Sequence, residues 1–326
     1  MRTKFSGYYE PTEKEFSDLW KNCVFVVDTN VLLDFYRMSR ETQDTLWEVL
    51  ELIKERIWVP YQVAKEYHRN ILDVIIEQEK KCEDAIAKLE NLKKAVVQSF
   101  AGSRNFPHIE DELKEKIENV CEELSENIKK ERKEIDALIN NNPTKEKLSV
   151  LLNNKLGEQF PNEKLEEIYT KGRERYEKKV PPGYADNQKK GKGNEIYGDL
   201  VIWMEIIQYA KKENKDIIFI TSDNKEDWFD KCNGKTIGPR SELRMEFKEE
   251  TGKMYYAYSL HSFLNYIGKY LNTSKEITSD VIDEVAFVSA EETESVNSVI
   301  KEDDIDCIDD TTNNIGEINS GDDESL

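Results

Sequence analysis

Val24-Phe25-Val26-Val27-Asp28-Thr29-Asn30 is the stretch that decides the fold. Three valines and a phenylalanine in succession make a run of strand-forming residues too short for a buried helix. The run does not alternate with polar residues. Both of its faces are therefore covered, as in a parallel sheet with helices on either side. A second run, Asp216-Ile217-Ile218-Phe219-Ile220-Thr221-Ser222, repeats the pattern and leads into Asp223. Each run hands over to an acid at its carboxyl end, where open α/β sheets build their sites.

The chain around these strands reads as α/β. A short helix is expected over about 13–21. Another starts near Ser39, a suitable N-cap, with Thr42, Leu46, Val49, Leu50 and Ile53 on one helical stripe. Ile57-Trp58-Val59-Pro60 reads as a short strand stopped by proline. A helix from about Tyr61 carries Glu66, and a later one begins at Asp199 and runs through Val201, Ile202, Met204, Ile206 and Ile207. A helix near 241–250, a strand over 254–258 and a helix around Phe263, Leu264 and Ile267 complete the pattern.

Two regions depart from it. Residues 71–180 are rich in Glu and Lys, with apolar residues at three- and four-residue intervals. They predict long amphipathic helices forming an antiparallel hairpin, with breaks at 102–107 and 140–143. Residues 275–326 carry 17 acidic residues against two basic ones. That composition predicts a disordered or conditionally ordered tail. Within it, Val281-Ile282 and Val285-Ala286-Phe287-Val288 are apolar patches suited to docking. The organisation is therefore a first α/β part (1–70), a helical insertion (71–180), a second α/β part (181–274) and the tail.

Composition excludes several classes. The 326 residues hold no apolar run near the roughly 20 that a membrane span needs. The start of the chain has no secretory h-region. Five scattered cysteines and three histidines form no zinc-binding pattern and suit a reduced, cytoplasmic protein. The formal charge of −20 opposes a general nucleic-acid surface, but most of it sits in the tail. The body is close to neutral, which leaves room for a local basic cleft. A tail this acidic suits folding back on such a cleft and restraining it.

Asp28, Glu66, Asp199 and Asp223 carry the chemistry expected here. Carboxylates gathered at one sheet edge cannot all ionise cheaply without a cation. An all-oxygen acidic set without His or Cys suits Mg²⁺ or Mn²⁺. Such ions support phosphodiester hydrolysis by activating water and neutralising the leaving oxygen.

The order strand–Asp28-x-Asn30, helix–Glu66, helix–Asp199, strand–Asp223 resembles the PIN-domain nuclease superfamily, which includes the VapC toxins. The bacterial PIN-like branch is the closer likeness. Its elements read here as Pro181-Pro182-Gly183-Tyr184, Tyr197-Gly198-Asp199-Leu200 and Thr221-Ser222-Asp223-Asn224-Lys225-Glu226-Asp227-Trp228. The resemblance covers about 20–70 and 180–265. It implies a three-layer α/β/α fold with a mostly parallel sheet. It makes the four acids both catalytic and metal-binding, with Asp227 a further ligand or a cap. It places Asn30 beside the first carboxylate and a phosphate oxygen, and Ser222 beside the fourth acid. Separately, Lys192, Lys225 and Arg240 in nearby loops suit contacts to a phosphate backbone or are ordinary surface charge, and Tyr184 suits stacking on a base or packing the loop. The implied activity is a Mg²⁺- or Mn²⁺-dependent endonuclease, acting on RNA before single-stranded DNA, with a toxin or phage-defence role. A regulatory protein partner and homo-oligomer formation accompany it. The alternative is a catalytically silent PIN-like scaffold whose helical region binds a protein partner. A phosphatase with a nucleophilic first aspartate would need Asp-x-Asp, where this chain has Asp28-x-Asn30.

Overall fold

A computed structural model describes residues 1–2, 4–99, 110–188, 193–233, 235–271 and 277–290. In chain order the first α/β part holds α1 (Glu13–Asn22), β1 (Val24–Val27), α2 (Thr29–Leu33), α3 (Arg40–Ile53) and β2 (Ile57–Trp58). The helical part holds α4 (Tyr61–Ser99), α5 (Asp111–Ala137), α6 (Pro143–Leu151) and α7 (Asn162–Glu177). The return to α/β brings α8 (Gly198–Glu213), β3 (Ile217–Thr221), β4 (Phe229–Cys232), β5 (Lys235–Pro239), α9 (Ser241–Thr251), β6 (Tyr255–Ser259) and α10 (Leu260–Tyr270). Helix α11 spans 279–290.

Four strands form one parallel sheet in the order β2-β1-β3-β6. The two runs singled out in the sequence are its neighbouring central strands, paired Val24 to Ile217 through Val27 to Ile220. The chain therefore closes its sheet across an insertion of more than a hundred residues. Every residue of β1, β3 and β6 is buried, as two covered faces require.

Strand alternation assigns the aromatic residues to opposite layers. Phe25, in register with Ile218 and Tyr256, faces α1 and α10. There Trp20 packs against Phe25, stacks on Phe263 and donates its indole N–H to Tyr258 Oη at 3.2 Å. Phe219 and Tyr255 face the other way. Phe219 packs on Trp228, and Tyr255 on Trp203 of α8 and Phe247 of α9. The result is the α/β/α sandwich that the resemblance implies.

The insertion is rooted in the sheet layer. Helix α4 runs through residue 70 without a break and pairs with α5 beyond it. Cys82 and Cys121 are buried there as free thiols, and Arg132 of α5 bridges Glu79 and Glu83 of α4. The expected break at 140–143 separates α5 from α6, with Asn142 capping α6 through Lys145 N–H at 2.8 Å. The break at 102–107 lies outside the described residues.

Three elements go beyond the sequence reading. Helix α2 follows directly on Asp28, which caps it. The antiparallel hairpin β4–β5 was hidden because most of its side chains are exposed, so it lacks an apolar stripe. Inside the acidic tail, α11 is ordered. Val281 and Val285 bury themselves in the core, and Glu284 accepts from Ser39 N at 2.5 Å, Ser39 Oγ at 2.7 Å and Thr42 Oγ1 at 2.5 Å. From the apolar patches noted in the sequence, Val281 and Val285 dock, Ile282 and Val288 pack partly, and Phe287 stays exposed. This part of the tail sits on the start of α3; residues 291–326 lie outside the described set.

Candidate active site

The site forms where β1 and β3 end side by side. Asp28 leaves β1 with its N–H still donating to Ile220 O at 2.9 Å. Its side chain turns inward and is 7% exposed. Oδ1 accepts from Thr29 N at 2.7 Å, and Oδ2 accepts from Thr221 Oγ1 at 2.6 Å. Thr221 Oγ1 also accepts from Asp223 N at 3.0 Å. One buried hydroxyl thus ties the acid after β1 to the acid after β3.

Glu66 comes from the second turn of α4. Its Oε2 accepts from Thr29 Oγ1 at 3.0 Å and its Oε1 from Gln62 Nε2 at 2.7 Å. Helix α8 approaches closely enough that a Cβ on Gly198 would lie 2.5 Å from Glu66 Oε1. The next residue, Asp199, enters the site from the first turn of α8. Its Oδ2 is buried and has no hydrogen-bond donor.

Lys225 occupies the middle of the cluster. Its Nζ lies 2.7 Å from Asp223 Oδ2, 3.3 Å from Asp186 Oδ1 and 3.9 Å from Asp199 Oδ2. Among the described residues, no group of three or more acids, histidines or cysteines is arranged to hold an ion. The carboxylates are spaced around an ammonium.

The charges explain the electrostatics. Burial pushes the Asp28 carboxyl up to about 7; its two hydrogen bonds oppose this, and the charges of Glu66 and Asp223 add to it. Burial raises Asp199 well above the usual carboxylate range; Lys225 opposes this, while Asp186, Asp227 and Asp28 reinforce it. Burial lowers the Lys225 ammonium, but Asp223, Asp199 and Asp186 outweigh it and hold the group well above the ordinary lysine range. The four acids expected from the sequence thus act on one another through space.

The other predicted site residues divide. Asn30, half-buried in the first turn of α2, has no hydrogen bond to its side chain among the described residues. Ser222 points away from the cluster: it is 1% exposed and donates its hydroxyl to Asp34, itself fully buried and bridged by Arg37 at 3.2 Å. Asp227 is fully buried, and its Oδ2 accepts from Gly183 N at 3.0 Å and Ala185 N at 3.2 Å. It anchors the Pro-Pro-Gly-Tyr loop, with Oδ1 left unpartnered. Gly183 itself is at φ +88°, and a Cβ there would come 3.1 Å from Asp199 Cβ. Arg240 is held by Glu242, Asp230 and the carbonyl of Glu226, and its Nη1 meets Tyr184 Oη at 3.4 Å. Both residues brace the loop. Lys192 lies outside the described residues.

Sequence reasoning missed Thr29, Gln62 and Thr221, which aim the carboxylates. A signal for Thr221 was present. With two-residue alternation, Thr221 and Asp223 point one way and Ser222 the other.

The donor chemistry suits a hard divalent cation. Every acid in the set offers oxygen, one buried Asp199 oxygen has no hydrogen-bond partner, and among the described residues the carboxyl groups outnumber the one ammonium between them. The set lies at the carboxyl ends of a parallel sheet, where open α/β folds place their sites. The profile of the PIN-like domain family matches residues 24–243, from β1 to the first turn of α9 and across all four acids. This chain belongs to the PIN-like domain family, part of a superfamily whose members are generally nucleases. No curated protein and no solved structure gave a match. No described helix is long and apolar enough to cross a membrane.

Proposed function

We propose that this protein is a metal-dependent endonuclease that hydrolyses phosphodiester bonds, RNA before single-stranded DNA. The observation that carries the reading is the meeting of Asp28, Glu66, Asp199 and Asp223 from four separate elements, with a buried Asp199 oxygen left without a donor. Asp28, Glu66, Asp199 and Asp223 would hold Mg²⁺ or Mn²⁺. When bound, the ion supplies charge neutralisation and an activated water.

The protein's own residues prepare for that chemistry. Thr29, Thr221 and Gln62 fix the rotamers of Asp28 and Glu66 before any ligand arrives, as supporting donors do around metal ligands. Asn30 offers an uncommitted amide beside Asp28 for a phosphate oxygen. Asp227 and Arg240 hold the 183–185 loop over the Asp199 side of the site, where it shapes the approach of the strand. Among the described residues Lys225 is the one ammonium within the acid cluster, so a bound cation would strengthen binding of a phosphate backbone. The resemblance to the PIN-domain superfamily, which includes the VapC toxins, supports RNA as substrate and a toxin or phage-defence role in the cytoplasm.

One observation favours a second reading. Leu72 and Ile76 on α4 and Val120 and Leu124 on α5 are exposed at helical spacing. A scaffold that binds a protein partner, or a second copy, through the hairpin would use them.

Cleavage of total RNA and of single-stranded DNA by the purified chain in Mn²⁺, Mg²⁺ and EDTA tests the proposal. Asp28→Asn and Asp223→Asn run beside it. Metal-dependent cleavage lost in both folded variants is the expected result. Absence of cleavage in every condition, or equal cleavage by the variants, rejects it in favour of the scaffold.

A further inference from the structure

Lys225 is placed by more than its ammonium. Its N–H donates to Asp223 Oδ1 at 2.9 Å while its Nζ meets Asp223 Oδ2 at 2.7 Å, so one carboxylate grips both ends of the residue. Its carbonyl accepts from Trp228 N at 3.3 Å and Phe229 N at 3.2 Å. Trp228 is 1% exposed and packed on Phe219 of the sheet. The backbone that launches the side chain is therefore fixed to the core, and the stem is directed between Asp186, Asp199 and Asp223. The lysine side chain is only 20% exposed, and those three carboxylates only 17%, 19% and 12%. An ordinary surface lysine pairs with one acid and stays in water. This one leaves water for a ring of three.

A lysine ammonium is a compact, strongly hydrated point charge on a flexible stem. It can bridge several carboxylates, as a bound cation does, and unlike an ion it cannot diffuse away. We propose that Lys225 is the resident cation of the acid cluster: it holds Asp186, Asp199 and Asp223 together in the absence of metal and is displaced when a divalent ion enters. The inference rests on the metal-dependent reading above and adds a competition to it. A doubly charged ion has to outbid a tethered ammonium. A monovalent ion offers no more charge than the group already there. Lys225 therefore sets both the divalent concentration at which the site loads and its discrimination against Na⁺ and K⁺. It also keeps the metal-free protein folded despite its crowded acids.

The test uses full-length wild type, Lys225→Met and Lys225→Arg, with Mn²⁺ as the probe. Mn²⁺ affinity is read by calorimetry or by the free-ion electron paramagnetic resonance signal, and thermal unfolding is read in EDTA and in saturating Mn²⁺. Lys225→Met is expected to bind Mn²⁺ about tenfold more tightly. In EDTA it should melt about 2–4 °C lower than wild type, with the gap closing in Mn²⁺. Lys225→Arg keeps a charge there and should show no such tightening. If Lys225→Met is unfolded in EDTA, recovery of its circular dichroism on adding Mn²⁺ supports the proposal, and failure to recover overturns it. Unchanged or weaker Mn²⁺ binding by Lys225→Met, with wild type still binding, overturns the proposal and leaves the metal-dependent reading standing. If neither protein binds Mn²⁺, that reading falls and this one with it.

Discussion

Two partly buried charge networks flank α8, and they are built to opposite rules. Behind the sheet's edge, Arg175 of α7 meets Glu246 of α9 with two bonds, at 2.5 and 2.9 Å, and Trp203 adds an indole N–H to the same carboxylate at 2.9 Å. One acid faces one base, and the carboxylate is amply supplied with donors. At the carboxyl ends of β1 and β3, one ammonium faces Asp186, Asp199 and Asp223, with Asp28 and Glu66 nearby. The first network ties three helices together. The second gathers more carboxyl groups than the one ammonium among the described residues can pair. A closed pair makes structure, and an open surplus makes a site.

The sharpest way to break this contrast is Asp199→Asn. Removing a carboxylate from the surplus should cut cleavage by more than the roughly 10–100-fold that loss of a supporting residue costs. Thermal unfolding in EDTA at pH 8 should nonetheless shift upward, since a buried charge lacking a donor is gone. A fall in melting temperature would show that the cluster is a structural network after all.

Glu205 offers a pH test at a buried acid where burial outweighs the opposing charge of Lys65. It accepts from Gln62 N at 3.1 Å at the start of α4, and burial pushes it up to about 7, with the backbone donors opposing and the charge of Glu66 adding. A folded-state value above the unfolded one means its contribution is complete below about pH 4.5 and is lost as pH rises through about 7. That loss is on the order of 3 kcal/mol, and Glu205→Gln should remove it. Urea unfolding of both proteins at pH 5 and pH 8 measures the difference; parallel pH profiles would refute the assignment.

Arg175→Met probes the closed network. It leaves Glu246 partly buried without its cation and should cost about 2 kcal/mol in urea unfolding, with metal affinity unchanged. The smallest effect is expected from Glu284→Ala, which strips the start of α3 of an acceptor for Ser39 and Thr42. A loss of about 1 kcal/mol, with faster hydrogen exchange across 279–290 and unaltered cleavage, is the expected pattern.

The sheet was legible because β1 and β3 are uninterrupted apolar runs, and burial on both faces leaves that mark. The four acids stood out as candidates because three of them sit at strand or helix ends, where a carboxylate has few purely structural uses. Glu66 was found by its place on the helix after β2. What the sequence hid is direction. Nothing in Thr221-Ser222-Asp223-Asn224-Lys225 states that the lysine turns back among the acids, or that Asp227 reaches the backbone of Gly183 and Ala185. These contacts join positions about 40 residues apart, across a loop whose path only the fold determines. Arg240 looked free for phosphate for the same reason. Its partners Asp230, Glu226 and Tyr184 come together only when β4 and β5 pair.

Helix α4 begins beside the sheet with Gln62 and Glu66 and continues, unbroken, for 39 residues. At 1.5 Å per residue it is a rod of roughly 58 Å. Its root is clamped by Glu205, Thr29 and the close approach of Gly198, while beyond the root it pairs with α5. In mechanical terms this is a beam with a fixed end and a long free arm. A tilt of about 5° at the root sweeps the tip through roughly 5 Å, and the same leverage works in reverse. A small force applied far out on the hairpin arrives at Glu66 as a large torque.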